Sequence, residues 1–521
     1  MTIKTRLARI ALIPALVLLP ACASGGLETA PAPSALSARA ADVGAAAITP
    51  EGVRRQMNDL AGDAMRGRET PSPELERAAE YLAAEFRGLG LEPAGDSGTY
   101  IQRWPYRAIA LDPARVKLEL RRGGTTVQPS YGREYFVLPS SADSAVGEAV
   151  FLGTAAPGIR EMPAETQGRI AVFYLQGAEP NSEWGGTLVQ SAGSAARAGA
   201  AGVLFVLDPA FKEESVAMVS QGVSGPMAFP ITIGAVRLDA VREAFNAAGV
   251  DLDAARQAEP GSAAQATSLG GMTVAMSARA NSVESRPPNV VGLLRGSDPE
   301  LRDTYVIVTA HFDHVGVGTP DAAGDSIYNG ADDNASGTVA LLQVARAFAS
   351  LPKPPARSVV FLAVSGEEKG LLGSRYYSDN PTVPIERVVA NINMDMVGRN
   401  SPDSVVAIGL DFSSLGPLVQ EIAAKHPELG LTVAPDLWPE EQLFFRSDHF
   451  NFARKEIPAI FFTTGLHEDY HRPSDEPEKI DVDKIARISK LVFYLGYEIA
   501  TRREPPQWTE DGLAQVRAMT R

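Results

Sequence analysis

Four runs of consecutive apolar residues lie in the second half of the chain, and polar residues follow each of them. The runs occupy residues 304–310, 358–365, 387–394 and 457–464, and they are rich in valine and isoleucine. Apolar runs of this length without alternation are typical of strands that are buried on both faces of a parallel sheet. The pattern therefore predicts an α/β fold with a mixed, mostly parallel sheet flanked by helices.

Two further segments have the spacing of amphipathic helices that pack on such a sheet. Residues 76–91 place apolar side chains on one face before a turn that contains glycine, and residues 328–348 form a loop that leads into a second helix. The positions expected to face the core are Ala78, Tyr81, Leu82 and Phe86 in the first helix and Val339, Leu342, Ala345 and Phe348 in the second.

The pattern changes between residues 128 and 276, where short apolar runs alternate with glycine-rich turns. Such a stretch favours a separate small domain of short strands. A proline pair at 287–288 then marks the return to the larger domain. We divide the folded part into 49–127 and 277–502 for the larger domain, 128–276 for an inserted small β-rich α/β domain and 503–521 for a C-terminal tail.

The first 22 residues have the order of an export signal. Lys4, Arg6 and Arg9 precede the apolar run 10–19, which is too short to cross a bilayer. The small residues before Cys22 resemble the lipobox of bacterial lipoproteins, in which this cysteine becomes lipid-modified. We therefore expect a lipoprotein signal peptide over residues 1–22, with an ordinary cleaved signal as the alternative.

Cys22 is the only cysteine of the chain, so no intramolecular disulfide can form. Residues 23–48 are rich in alanine, serine, proline and glycine, which predicts a flexible tether between a lipid on Cys22 and the folded part. Together these features predict an exported protein that is anchored to a bacterial membrane, in the periplasm or at the outer membrane.

Composition and charge restrict the classes of function. A chain of 521 residues that is 45% hydrophobic can form two or three packed domains. The formal net charge is −15, and no basic stripe offers contacts to phosphates, which excludes a nucleic acid as the expected partner. Bound metal cations would offset part of this negative charge.

The polar residues that follow the four apolar runs are of the kinds that bind metals. In chain order they are His311 and Asp313, Glu367 and Glu368, Asp395 and, after a few positions, His471. Because the carboxyl ends of parallel strands meet at one edge of a sheet, we expect these side chains to converge. Imidazole and carboxylate groups without cysteine favour a hydrolytic zinc site over a structural zinc finger.

Two details of this set remain open at the level of the residues. In an extended chain Asp313 lies on the same face as His311 and could accept a hydrogen bond from its ring, whereas His314 would point the other way and is expected to have a supporting or structural role. Asp332 and Asp333 precede the second predicted helix, where one of them could cap the helix or bridge two metal ions.

Residues 467–471, HEDYH, match the H-E-x-x-H signature of helical zinc proteases. The segment follows a strand and Gly465, and Pro473 lies two residues beyond His471, so a helix that presents both histidines is not expected. His471 alone is therefore the expected ligand, with Asp475 as a candidate partner that orients it.

Five segments resemble the co-catalytic zinc aminopeptidase family, which includes bacterial leucyl aminopeptidases and is related to glutamate carboxypeptidase, glutaminyl cyclase and the transferrin receptor. They are HFDHVG at 311–316, GADDNASG at 330–337, SGEEKGLLGS at 365–374, NMD at 393–395 and DYHRPSDEPEKID at 469–481. The inserted segment resembles the protease-associated domain of many members. The resemblance implies a zinc exopeptidase fold and hydrolysis of a peptide substrate.

Position by position, the resemblance implies two zinc ions per chain. The implied ligands are Asp333 as the bridge, His311 and Asp395 on one ion, and Glu368 and His471 on the other. Glu367 would be the general base, and Asp313 would orient His311. The implied set is complete, whereas the transferrin receptor has the fold without the metal chemistry.

The sequence thus favours an exported zinc aminopeptidase. A carboxypeptidase or a glutaminyl cyclase on the same fold is the first alternative, and a non-catalytic surface binding protein is the second. Arg446 is a candidate substrate contact, because family members use an Arg-Ser-Asp stretch near the substrate. Trp438, Phe444 and Phe445 could line a pocket for the first side chain or belong to the core.

Overall fold

The computed structural model describes residues 35–138, 142–156, 161–177, 182–211, 231–257 and 266–519. The predicted signal peptide, Cys22 and the first part of the predicted tether lie outside these residues. None of the helices within the described ranges combines the length and the apolar character that crossing a membrane requires.

The strands and α-helices of the described residues are given in chain order. The strands are β1 (Glu92–Pro93), β2 (Ile101–Arg103), β3 (Tyr106–Arg122), β4 (Thr125–Val127), β5 (Tyr135–Leu138), β6 (Ser144–Thr154), β7 (Ile170–Leu175), β8 (Gly202–Leu207), β9 (Thr232–Arg237), β10 (Thr267–Ser285), β11 (Pro288–Leu294), β12 (Tyr305–His311), β13 (Gly316–Val317), β14 (Ile327–Tyr328), β15 (Ser358–Val364), β16 (Val388–Met394), β17 (Ser404–Ile408), β18 (Thr432–Ala434) and β19 (Ala459–Thr463). The helices are α1 (Ala35–Ala46), α2 (Pro50–Ala61), α3 (Pro73–Gly88), α4 (Ser182–Arg197), α5 (Leu238–Ala247), α6 (Leu252–Gln257), α7 (Gly337–Ala349), α8 (Leu372–Asp379), α9 (Leu415–Lys425), α10 (His449–Ala453), α11 (Val482–Thr501) and α12 (Glu510–Met519).

The four predicted strands are confirmed and form the centre of the larger sheet. The sheet order is β1–β11–β15–β12–β16–β19–β17–β18, with β2 also paired to β11. The strands β15, β12, β16 and β19 run parallel to one another, so their carboxyl ends lie at one edge. The mixed α/β architecture predicted from the sequence is therefore correct.

Helices cover this sheet as the hydrophobic pattern predicts. The helices α7 and α11 contact each other and β12, and the predicted core positions of α7 are fully buried. Polar caps fix where α2 and α3 begin. The Thr49 hydroxyl accepts a hydrogen bond from the Gly52 amide at 3.1 Å, and the Ser72 hydroxyl accepts one from the Leu75 amide at 3.0 Å. Such caps stabilise a helix start by about 1 kcal/mol.

The inserted domain is larger than predicted. Its eight-stranded sheet has the order β4–β3–β10–β6–β7–β8–β9–β5. The long strands β3 and β10 pair antiparallel, from Tyr106 opposite Ser285 to Arg121 opposite Thr273. The insertion therefore spans about 106–285 rather than 128–276. The sequence boundary was wrong because β3 and β10 continue directly from segments that belong to the larger domain, and only their pairing assigns them to the second sheet.

Two segments predicted to be peripheral pack on the larger domain. The tether prediction is wrong for residues 35–46, because α1 buries Ala41 and Ala45, and a side chain at Gly44 would meet the ring of Phe493. Residues 503–519 of the predicted C-terminal tail include α12, whose Val516 is buried.

Candidate metal centre

The strand ends of the larger sheet bring the predicted site residues together. His311 is the last residue of β12, the two glutamates follow β15, and Asp395 follows β16. Asp333 lies in the turn before α7, and His471 lies in the loop after β19. The structure confirms that these side chains converge.

The candidate ligand atoms form two neighbouring groups, and one carboxylate contacts both. The first group contains His311, Glu367 and Asp395, and the second contains His314, Asp333, Glu368 and His471. Asp333 contacts both groups, because its Oδ1 lies 3.4 Å from Nε2 of His311 and its Oδ2 lies 3.0 Å from Nε2 of His471. This is the position of the aspartate that the family resemblance implies as the bridge.

The donor atoms are placed to bind a metal rather than to form hydrogen bonds with one another. Nε2 of His311 lies 3.3 Å from Oδ1 of Asp395, yet among the described residues neither atom has a hydrogen-bond partner, and the same is true of Nε2 of His471. Buried polar atoms without partners are costly, and nitrogen and oxygen donors without thiolate suit zinc. The residues present therefore fit a pair of divalent ions.

The turn before Glu367 and Glu368 directs the two carboxylates to different partners. Gly366 has φ +74° and lies so close to Trp104 that a Cβ would be 2.7 Å from its ring, so glycine is required there. Glu367 Oε2 lies 3.9 Å from Nε2 of His311, whereas Glu368 Oε2 lies 3.1 Å from Nε2 of His471. Adjacent carboxylates thus face the two different groups.

The pKa values of the two glutamates diverge accordingly. Burial raises the pKa of Glu367 well above its usual range, and the neighbouring carboxylates of Glu368 and Asp395 add to this effect against His311. Burial also acts on Glu368, but His471 and the hydrogen bond from His314 outweigh it and lower its pKa to about 2. Glu368 therefore stays ionised, as a ligand must, while Glu367 can take up and release a proton.

The pKa values of two histidines in the site are also shifted. Burial alone would lower the pKa of His311, but Asp395 and Glu367 raise it well above 6.5. Burial would also lower the pKa of His471, but Glu368 and Asp333 have the larger effect and raise it. Since a metal binds only the neutral ring, loading the site must release these protons.

We expect the apparent zinc affinity of the protein to rise as the pH increases through the ordinary histidine value of about 6.5 and above it. The raised histidine pKa values set the sign, because acid adds protons that compete with zinc. Calorimetric titrations in buffers of different ionisation enthalpy are expected to detect release of about one proton per histidine. An affinity that does not change over this range would contradict the assignment of these rings as ligands.

Asp313 lies beside the ring of His311 and also contacts the turn before Glu367. Nδ1 of His311 lies 3.2 Å from the backbone carbonyl oxygen of Asp313 but 3.6 Å from its carboxylate, so the carbonyl is the nearer partner. The carboxylate instead accepts the Gly366 amide at 2.7 Å and the Thr70 hydroxyl at 2.8 Å. Asp313 therefore ties the end of β12 to the turn that presents Glu367.

His314 lies in the site, contrary to the prediction that it would point away. Strand β12 ends at His311, so the alternation of side chains in an extended chain does not continue. The backbone of His314 instead forms an isolated β-bridge with Glu69. Its Nδ1 lies 2.8 Å from Oε1 of Glu368. The prediction was wrong because it extended the strand geometry three residues too far.

The HEDYH segment is a turn and not a helix, as predicted. Only His471 joins the ligand groups, while Nε2 of His467 lies 3.2 Å from Oδ2 of Asp332. Asp475 does not orient His471: its carboxylate accepts the backbone amides of Asp332 and Asp333 at 3.0 to 3.1 Å. The prediction for Asp475 was therefore wrong, because this residue fixes the loop that carries Asp333.

Asp469 fastens the loop that carries His471. Its buried carboxylate accepts hydrogen bonds from Arg399 at 2.8 Å, from Lys479 at 2.6 Å and from the Ser474 hydroxyl at 2.7 Å. These contacts lower the pKa of Asp469 against the effect of burial. The loop is therefore positioned by charged hydrogen bonds rather than by a helix.

Substituting Asp469→Asn is expected to reduce the free energy of unfolding by about 2 kcal/mol, because charged hydrogen bonds to a buried group are lost. Urea unfolding followed by tryptophan fluorescence measures the change. Glu468→Gln is the matched control, since Glu468 is exposed in the same loop. Equal effects of the two substitutions would show that Asp469 does not anchor the loop.

A pocket of about 440 Å³ opens onto the ligand groups. Its lining residues are Asp333, Glu367, Asp395, Met396, Leu443, Arg446, Phe461, Thr463, Gly465, Leu466 and Tyr470. Arg446 lies in this lining, where Nη1 is 3.0 Å from Oε2 of Glu441. Phe444 is buried in the core, and neither it nor Phe445 lines the pocket, which agrees with the alternative that these residues belong to the core.

Several residues of the site were missed from the sequence. The Ser447 hydroxyl donates to Oδ2 of Asp395 at 2.7 Å, which leaves Oδ1 facing His311. Tyr470 lines the pocket beside His471, and its burial raises the pKa of its phenol well above 10. The Arg-Ser-Asp stretch and the position next to a ligand were the signals that could have identified them.

The second part of the chain matches a known protein family. Residues 289–496 match the model of Peptidase family M28. The chain is similar to Aminopeptidase YwaD of Bacillus subtilis (strain 168), at 28% identity over 232 residues, 42% of this chain and 46% of that protein. It is also similar to a probable leucine aminopeptidase of Arthroderma otae, at 28% identity over 233 residues, 43% of this chain and 61% of that protein. The chain thus spans less than two thirds of the length of these relatives.

Solved structures share the fold over most of the chain. An aminopeptidase from Aneurinibacillus sp. strain AM-1 has a TM-score of 0.58 at 18% identity, covering 89% of this chain and 97% of that chain. A zinc aminopeptidase from Bacillus subtilis, BSAP, has a TM-score of 0.54 at 19% identity, covering 88% of this chain and 96% of that chain. At these identities the likeness concerns the fold.

Proposed function

Because residues 289–496 match the model of Peptidase family M28, we propose that this protein is a zinc aminopeptidase that releases N-terminal residues from peptides. The single observation that supports it most is the pair of ligand groups at the end of a pocket, with Asp333 of one group also in contact with His311 of the other. The similar proteins YwaD and the Arthroderma otae protein are named as aminopeptidases, which agrees with the proposal.

Two zinc ions, when bound, would supply positive charge that polarises the scissile carbonyl and makes water a better nucleophile at neutral pH. Asp333 would bridge them, His311 and Asp395 would bind one, and Glu368 and His471 the other. Glu367, which faces the pocket and has a raised pKa, would take the proton of the attacking water and give it to the leaving amine.

The pocket lining favours a substrate with a free amine. Glu367 is the lining carboxylate that is not assigned to a zinc ion, and in its ionised form it would attract an α-ammonium group. The guanidinium of Arg446 would attract a terminal carboxylate, but it is paired with Glu441. The apolar side chains of Leu443, Phe461 and Leu466 would contact the first side chain of the peptide.

Zinc analysis of purified protein, combined with leucyl and prolyl p-nitroanilide substrates, tests this function. We expect about two zinc ions per chain and cleavage of the free substrates, while their N-acetyl forms remain intact. Equal cleavage of the blocked forms would contradict an aminopeptidase, and protein that binds no divalent metal would contradict the metal centre.

We also propose that the protein is exported and lipid-anchored through Cys22, on the basis of residues 1–22. Expressed in a bacterium, the full chain is expected to incorporate a labelled fatty acid and to sediment with membranes. The variant Cys22→Ser is expected to lose the label and to appear in the soluble fraction. Labelling that persists in this variant would contradict the anchor.

A further inference from the structure

We propose that His314 is itself a metal ligand, which makes the two metal sites unequal. One site would have four protein ligands, His314, Asp333, Glu368 and His471, and would be closed. The other would have His311, Asp333 and Asp395 and would keep an open position for substrate. This inference rests on the proposed metal centre and adds a ligand that the family pattern does not require.

The donor atoms of the four residues, with one Glu368 oxygen beside each histidine, lie at separations that suit coordination of one zinc ion. Ligand atoms at about 2.0 to 2.2 Å from zinc lie about 3.4 Å apart. Nδ1 of His314 lies 2.8 Å from Oε1 of Glu368 and 3.7 Å from Oδ2 of Asp333. Nε2 of His471 lies 3.0 Å from the same Asp333 oxygen and 3.1 Å from Oε2 of Glu368. These four separations bracket the tetrahedral value.

The backbone around His314 is arranged to admit its ring. Gly330 has φ +57°, and a Cβ at this position would be 2.4 Å from Cγ of His314, so any other residue would displace the imidazole. The buried guanidinium of Arg68 binds the carbonyl oxygens of Asn329 and Gly330 at 2.9 and 3.1 Å. His314 is completely buried, so its ring has a fixed position beside Glu368.

The pocket supports the division into a closed and an open site. Two ligands of the three-ligand group, Asp333 and Asp395, line it together with Glu367, whereas the four-ligand group contributes only the shared Asp333, and none of the three histidines lines it. The four-ligand group therefore lies behind Asp333, away from the entering substrate. Metal sites with four protein ligands are typically structural, and those with three leave a position for chemistry. The ion on the His311 side would thus be the one that meets the scissile bond.

Counting the coordinated imidazoles tests the proposal without using activity. In the protein loaded with Co²⁺, ring N–H protons of coordinated histidines give strongly shifted, solvent-exchangeable proton NMR signals. We expect three such signals in the wild-type protein, from His311, His314 and His471, and one fewer in His314→Gln. The control His467→Gln, which changes a buried histidine beside Asp332, is expected to retain all three.

Competition with a chelator provides the second measurement. In the wild-type protein one zinc ion is expected to resist chelator concentrations that remove the other. In His314→Gln the affinity of the tighter site is expected to fall at least about 100-fold, which removes the difference. Circular dichroism shows whether the variant is folded, and if it is not, the signal count of the wild-type protein still decides.

The outcomes separate this inference from the proposed function. Two shifted signals in a wild-type protein that binds two Co²⁺ ions would overturn the ligand role of His314 and leave it as a hydrogen-bond donor to Glu368. A wild-type protein that binds neither Zn²⁺ nor Co²⁺ would overturn the metal centre itself. Three signals together with two unequal affinities would support both.

Discussion

Replacing Glu367 with glutamine is expected to lower kcat/KM about 1000-fold while the metal content stays at the wild-type value. Glutamine has nearly the same shape but cannot accept the proton that the attacking water must lose. The Glu367 carboxylate lies 3.9 Å from Nε2 of His311 and lines the pocket, whereas Glu368 faces His471. Steady-state kinetics on leucyl p-nitroanilide and elemental analysis of the same sample give both quantities.

The neighbouring residue provides the control for this prediction. Glu368→Gln is expected to lose metal together with activity, because the Glu368 carboxylate contacts both His314 and His471. If Glu367→Gln retained full turnover with its metal, the general base would have to be another group. If both variants lost metal alike, the two adjacent glutamates would not have separate roles.

Replacing Asp333 with asparagine is expected to weaken the binding of both metal ions at least about 100-fold and to abolish activity. An amide offers a single oxygen donor, so it cannot supply one anionic oxygen to the His311 side and another to the His471 side. The two oxygens of Asp333 lie 3.4 Å and 3.0 Å from those rings. Chelator competition on both sites measures the effect.

Asp332→Asn is the matched control, because Asp332 is the adjacent buried carboxylate and does not belong to either ligand group. Its Oδ1 accepts the Gly398 amide at 2.6 Å, a hydrogen bond that an asparagine oxygen can also form. The control is expected to retain both ions. Loss of only one ion in Asp333→Asn would show that the aspartate does not bridge.

The strands and the candidate metal-binding residues could be predicted from the sequence because both depend on local rules. Long apolar runs specify strands buried on both faces, and polar residues just beyond them mark the edge where ligands bind. His311, Glu368, Asp395 and His471 were identified in this way, and the structure brings them together. The rejection of a helix at HEDYH followed from the glycine and proline nearby.

The errors share one cause, which is that chain direction after a strand end is not a local property. His314 was assigned to the wrong face because β12 stops at His311. The Asp313 carboxylate binds Gly366 and Thr70, which are distant in the sequence. The domain boundary moved to 106–285 because the pairing of β3 with β10 joins segments far apart in the chain.

The sequence by itself determined the α/β class, the kinds of ligand and their places at the strand ends, because apolar periodicity and residue chemistry are written position by position. Only the tertiary structure decided which ligand atoms face each other. It placed Glu367 and Glu368 on different partners, turned His314 toward Glu368 and directed the Asp475 carboxylate to the loop of Asp333. Such choices depend on backbone turns and long-range contacts, and these exist only once the chain has folded.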